Sequence, residues 1–199
     1  MGRFVVIEGP DGVGKTTVIN GIKERLPKDL KSKFIREPGG SPLGEKIREI
    51  LLNKALNVSP ETEALLFAAM RSENYAILKK DLPNYDIIIS DRFLPSSLAY
   101  QGAGLALGME NIEDINDFFL HGYRPDLTIY LMLNKNTGME RIKKVRDYDK
   151  FELRDNSFFS AVNMAYEKLS NYPNSVVIDA SMSEEEVLDT VMKEINKLL

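Results

Sequence analysis

The chain has 199 residues, 43% of them apolar and 28% charged, and carries a net charge of −4. That balance fits one domain with a sizeable core and offers no global basic surface to nucleic acid or an anionic membrane. Without cysteine there are no disulfides, zinc–thiolate sites or thiol nucleophiles, and a single histidine, His121, excludes multi-histidine metal centres.

The longest apolar runs are too short to span a bilayer. Met1-Gly2-Arg3-Phe4-Val5 enters a strand pattern directly, without a signal-peptide layout, so a cytoplasmic protein is expected. Apolar β-branched runs then alternate with helical patterns, the signature of a parallel α/β sheet. The first strand, Phe4–Glu8, is nearly all apolar, as befits a strand covered on both faces. It runs into Gly9-Pro10-Asp11-Gly12-Val13-Gly14-Lys15-Thr16, which matches G-x-x-x-x-G-K-[ST] at every fixed position. Glycines let the backbone curl with its N–H groups inward, and a helix predicted over Lys15–Leu26 adds its positive end. Lys15 is then the mobile charge for β- and γ-phosphates. The Thr16 hydroxyl, followed by Thr17, is small enough to ligate Mg²⁺. The motif predicts nucleotide binding but no particular reaction, because ATPases, GTPases, kinases and switches share it.

The second strand, Phe34–Arg36, leads into Glu37-Pro38-Gly39-Gly40, a loop stiffened by proline and turned by glycine. A helix follows over Leu43–Asn53. Ser59-Pro60-Glu61-Thr62-Glu63 combines an N-cap, a first-turn proline and early acidic residues, and opens a long helix to Asp81. On it, Phe67 and Arg71 stand four residues apart and share a face, a ring to stack on a flat base and a guanidinium to read a carbonyl. The third strand, Asp86–Ser90, ends at Asp91-Arg92. Asp91 suits the Mg²⁺ shell or its waters, and Arg92 suits phosphate oxygens. Arg36, Arg71 and Arg92 therefore stand where a kinase would hold a second anion.

A helix over Ile112–His121 precedes the fourth strand, Leu127–Met132. In Asn134-Lys135-Asn136-Thr137, threonine replaces the aspartate that guanine recognition needs, so a guanine-specific switch is not expected. A helix is predicted over Gly138–Lys144. Residues 135–154 carry seven Lys/Arg against four Asp/Glu within an acidic chain. Their place after the fourth strand suits a lid that brings cations to a transferring phosphoryl group and excludes water. Helix Asn156–Asn171, strand Val176–Ile178 and helix Ser183–Leu198, opened by the capping box Ser183 to Glu186, complete the chain. One α/β domain is expected, a five-stranded parallel sheet flanked by helices with a lid near 135–154. Taken singly, Phe67 reads as core, Arg71 as a solvated helix charge, Asp91-Arg92 as a surface ion pair and the basic run as a solvated face. Behind a complete phosphate loop they favour a kinase together.

Five segments, in order, resemble the thymidylate kinase (dTMP kinase) family: Glu8–Thr17, Phe34–Gly40, Leu66–Arg71, Asp91–Gly102 and Arg124–Asp126. The resemblance implies a P-loop kinase fold and transfer from ATP, with Mg²⁺, to dTMP, giving dTDP for dTTP biosynthesis. It also implies a homodimer, for which the long apolar-rich helix at 60–78 offers an outer face. By resemblance, Phe67 stacks on thymine and Arg71 reads its O4 edge. Arg92 takes the dTMP phosphate, Arg36 lies near the reacting phosphates, and Asp11 approaches the acceptor's sugar and phosphate. Tyr100 crowds the sugar 2′ position with Gln101 beside it, and Ser97 stands at the base edge, where family members vary. The family places a catalytic arginine in the phosphate loop or in the lid. Gly12 holds the loop position, which points to the lid, with Arg146 first and Lys150 second. Arg141 resembles the arginine that packs on adenine, and Ala180-Ser181 border that base. Tyr148 and Phe151 are lid packing or acceptor contacts. Two other readings stay open: another pyrimidine monophosphate such as dUMP as acceptor, and a nucleotide-binding regulatory module without transfer.

Overall fold

The computed structural model describes residues 2–133 and 154–199. The helix predicted over Gly138–Lys144, and with it Arg141, Arg146, Tyr148, Lys150 and Phe151, lies outside the described residues.

Five parallel strands form one sheet in the order β2-β3-β1-β4-β5, with β1 at Arg3–Glu8, β2 at Ser32–Arg36, β3 at Ile87–Asp91, β4 at Leu127–Met132 and β5 at Ser175–Asp179. The three strands that are nearly all apolar in sequence are the three central ones, and their side chains are buried on both faces. The edge strands β2 and β5 are more mixed in sequence and more exposed.

Side chains alternate across β1. Phe4 and Val6 join a core with Ile88, Tyr130 and Tyr166 on one face, while Val5 and Ile7 join Ile87, Ile89, Ile129 and Leu131 on the other. Helices α1 (Lys15–Arg25) and α7 (Glu184–Asn196) cover the second face. Helices α3 (Pro60–Asp81), α5 (Met109–Leu120) and α6 (Asn156–Leu169) cover the first. Helix α2 (Pro42–Leu52) packs on α3 through Ile47, Leu51 and Met70.

The caps read from the sequence form. Ser59 accepts the Thr62 N–H ahead of α3, and both halves of the Ser183–Glu186 box are made at α7. The sequence pattern assigns no helix to 94–104. The structure instead forms α4 (Leu94–Ser97), running straight into a π-helical turn, Leu98–Gly104. A β-carbon on Gly104 would meet the Phe158 ring of α6 at 2.5 Å, so the absent side chain is what lets this turn press against α6. No helix among the described residues is long and apolar enough to cross a membrane.

Strand register sets the site. Ile7 pairs with Asp91 and Arg36 pairs with Asp91, so β1, β3 and β2 end at one level. The Arg92 N–H donates to Ile7 O at 3.0 Å and the Glu37 N–H to Asp91 O at 2.9 Å. Open α/β sheets bind ligands beyond these carboxyl ends.

Candidate active site

The glycine loop leaves β1 with positive φ at Gly9 (140°), Gly12 (79°) and Gly14 (97°). At Gly9 the constraint is double, because a β-carbon there would also lie 2.2 Å from Leu131 O. Gly14 caps α1 without a side-chain bond, so the first-turn N–H groups stay open to an anion. Lys15 is buried, and its Nζ donates to Gly9 O at 2.9 Å and Pro10 O at 2.8 Å. Burial, with Arg92 nearby, brings its pKa down to about 8.

An open trough of about 1100 Å³ runs from this loop past Thr16 and Thr17 to Asp91 and Ala180. Asp91 Oδ1 is buried there without a partner among the described residues. A lone carboxylate oxygen and an exposed threonine hydroxyl in one trough fit Mg²⁺, which takes few protein ligands and keeps waters and phosphates. Among the described residues no group of three or more His, Cys, Asp or Glu could hold a metal by itself.

A smaller cavity, about 200 Å³, lies between α2, α3 and the 94–104 segment. Phe67 and Arg71 line it together, as their spacing predicts. Arg71 is not a solvated helix charge, since it is only 1% exposed. Its Nε donates to Glu37 Oε2 at 2.8 Å, Nη1 to Asn116 Oδ1 at 2.7 Å, and Nη2 to Phe93 O at 3.1 Å and Ser97 Oγ at 2.9 Å. Of its five N–H groups, one on Nη1 has no partner among the described residues. Burial raises the pKa of Glu37 against the opposing pull of Arg71. Ser97 thus holds Arg71. Gln101 Nε2 donates to buried Glu63 at 3.1 Å, and both Ser97 and Gln101 face the cavity.

Asp11 and Arg92 line both the trough and the cavity. Arg92 takes a left-handed backbone, φ 71°, which turns the chain sharply after β3 at a cost of about 1–3 kcal/mol. Its Nη1 donates to Ser96 Oγ at 2.8 Å, Tyr166 Oη at 3.1 Å and Gly9 O at 3.3 Å, and its Nη2 is paired with Asp11. The Nε proton and one Nη2 proton have no partner among the described residues, so the guanidinium keeps donors to offer to phosphate oxygens. Tyr100 Oη donates to the other Asp11 oxygen at 2.6 Å. Burial raises the pKa of Asp11, but Arg92, Lys15 and Tyr100 outweigh it, so the group sits below the usual range.

Among the described residues expected to contact the acceptor, Arg36 is placed elsewhere. It lines neither cavity, and its Nη2 donates to Glu45 of α2 at 3.0 and 3.2 Å. Consecutive residues of an extended chain face opposite ways, so the inward turn of Glu37 sends Arg36 outward. Arg154, the described cation of the basic run, pairs with Glu63 of α3 at 2.8 Å. Residue-by-residue reading missed Arg48, Ser96, Tyr166 and Glu8. Arg48 donates to Pro38 O at 2.7 Å and lines the cavity with Leu52, so its i, i+4 spacing was an available signal. Tyr166 enters from α6, 74 residues beyond Arg92, and no local pattern marks it.

A family model described as thymidylate kinase matches residues 7–191. A thymidylate kinase of Lactobacillus delbrueckii subsp. bulgaricus is 42% identical, covering 96% of this chain and 94% of its own. One of Staphylococcus haemolyticus is 38% identical, with 95% of each chain covered. The crystal structure of thymidylate kinase from Ehrlichia chaffeensis superposes with a TM-score of 0.80 at 29% identity, covering 98% of both chains.

Proposed function

The chain belongs to the thymidylate kinase family, and within that family we propose that Arg92 presents the phosphate of dTMP to a donor held by the loop at 9–16. The enzyme is a nucleoside monophosphate kinase, and its reaction is the phosphorylation of dTMP to dTDP. The assignment of roles rests on one observation, that Asp11 and Arg92 line both cavities and so stand between donor and acceptor.

The donor is ATP. A phosphate monoester is ionised at neutral pH, so its oxygen attacks the γ-phosphorus without a general base. The bond from that phosphorus to the β–γ bridging oxygen breaks, and the new charge stays on ADP. Loop N–H groups and Lys15 neutralise it, so positioning and charge dominate the rate. Thr16 and Asp91 would hold Mg²⁺ or its waters, and the ion supplies further neutralisation of the donor phosphates. On the acceptor side Phe67 packs against the base, and Arg71 offers its remaining proton to a base carbonyl. Tyr100, tied to Asp11, fills the space a 2′-hydroxyl would need, with Gln101 beside it.

Several roles stay with the resemblance: Arg146 as lid cation, Arg141 on adenine beside Ala180, a single domain closed by its lid, and a cytoplasmic location. Homodimer formation is supported by Leu65 of α3, 55% exposed, and Phe118 of α5, 84% exposed, on neighbouring helices. A monomer in sedimentation at micromolar concentration would remove that part of the reading.

An ADP-release panel across nucleoside monophosphates tests the acceptor, with dTMP expected to give the highest kcat/KM. Arg92→Ala and Lys15→Ala are each expected to lose on the order of 10²-fold or more in turnover. Wild-type turnover in either variant would refute its assigned role.

A further inference from the structure

Three elements converge on the far side of Arg92, at groups the transfer itself does not use. Glu8, the last residue of β1, is fully buried. Its Oε1 accepts the Phe93 N–H at 2.8 Å and the Ser96 N–H at 3.2 Å. Its Oε2 accepts the Ser96 hydroxyl at 2.7 Å and the Tyr166 hydroxyl at 3.1 Å. Those two hydroxyls, 2.9 Å apart, are the ones that Arg92 Nη1 approaches.

Proton bookkeeping limits how this cluster can be arranged. A guanidinium only donates, a carboxylate only accepts, and a hydroxyl has a single proton. Ser96 and Tyr166 therefore spend their protons on Glu8, directly or one through the other across the 2.9 Å between them, which leaves hydroxyl lone pairs facing Arg92. We propose that Glu8 is a positioning residue for transfer, orienting the Ser96 and Tyr166 hydroxyls so that they hold the Arg92 fork with its Nε edge toward the acceptor phosphate. The inference rests on the reading of Arg92 as the acceptor clamp. It adds to that reading a reason why β1 ends in glutamate and why α6 contributes a buried tyrosine. Satisfying two backbone N–H groups at the start of α4 accounts for Oε1 alone. Oε2 has no such backbone task.

Glu8→Gln separates the two oxygens. The amide oxygen still accepts both backbone N–H groups, while the amide nitrogen replaces Oε2 with a donor. Ser96 and Tyr166 then accept from it, and at least one of their protons turns toward the guanidinium. The expected result is a fall of about tenfold or more in kcat/KM for dTMP, with KM for ATP within about twofold of wild type. In an Arg92→Ala background the same change is expected to add less than about threefold. Wild-type kinetics in Glu8→Gln beside an impaired Arg92→Ala would overturn the inference alone. An equal Glu8→Gln penalty with and without Arg92 would reduce Glu8 to a backbone cap and overturn it too. Wild-type turnover in Arg92→Ala would instead remove the clamp reading beneath it. If Glu8→Gln does not fold, Tyr166→Phe and Ser96→Ala, which leave the Glu8 backbone contacts intact, carry the test. Each is expected to weaken kcat/KM for dTMP only while Arg92 is present, and full activity in both would overturn the inference.

Discussion

Phe67 and Arg71 share one face of α3, yet their surroundings divide the work between them. Arg71 has all but one of its N–H groups committed to Glu37, Asn116, Phe93 and Ser97, so its position is set before any ligand arrives. Phe67 is only half buried and offers its ring to the cavity. Phe67→Ala should therefore mainly raise KM for dTMP while the enzyme still folds, because a stacking surface is lost and no buried charge is orphaned. Steady-state kinetics with a thermal melt check this, and unchanged dTMP affinity would return Phe67 to the core. Arg71 belongs to the opposite class. Truncating it would leave Glu37 as a buried, unpaired carboxyl, and the loss would mix folding with recognition.

Helix α7 shows how far one element can be read in advance. Three acidic residues sit in its first turn, and Ser183 and Glu186 close both halves of the box on the surface. Ser183→Ala removes the bond to the Glu186 N–H at 3.3 Å and frees the Glu186 carboxylate from the Ser183 hydroxyl at 2.6 Å. A loss of about 1 kcal/mol is expected, or roughly 2–4 °C in Tm for a chain of this size, with kinetics unchanged. Calorimetry beside an activity assay checks both halves. The 94–104 segment is the contrary case. The sequence pattern assigns it no helix, but packing against α5 and α6 makes it helical and brings Ser96, Ser97, Tyr100 and Gln101 to one wall. Tertiary contacts override local propensity there.

The arrangement of the whole sheet explains the proton held at the phosphate loop. Parallel strands in the order found here end beside one another, and the register sets Arg92 against the loop that carries Lys15. Burial, with the Arg92 guanidinium nearby, lowers the lysine from its ordinary 10.5 to about 8. A bound triphosphate supplies the opposite charge and restores the proton. Nucleotide binding at pH 9 should thus take up a proton, approaching one per site, and at pH 6.5 Lys15 should take up none. Titration calorimetry in buffers of different ionisation enthalpy measures this. The same depressed value gives a sign for stability without nucleotide. Between about pH 8 and 10.5 the unfolded chain binds more protons at this lysine, so its contribution to stability rises with pH across that window.

The sequence by itself determined the phosphate loop, the five strands and their burial, the long helix with its shared Phe67–Arg71 face, and the caps. Each of these depends on residues within one turn, one strand or one loop. It did not determine that Arg36 turns away toward Glu45, that Arg71 is locked by four partners, or that Glu8 and Tyr166 stand behind Arg92. Those relations join residues as much as 158 positions apart. Only the order and register of the strands, and the packing of α6 across them, decide which distant side chains meet.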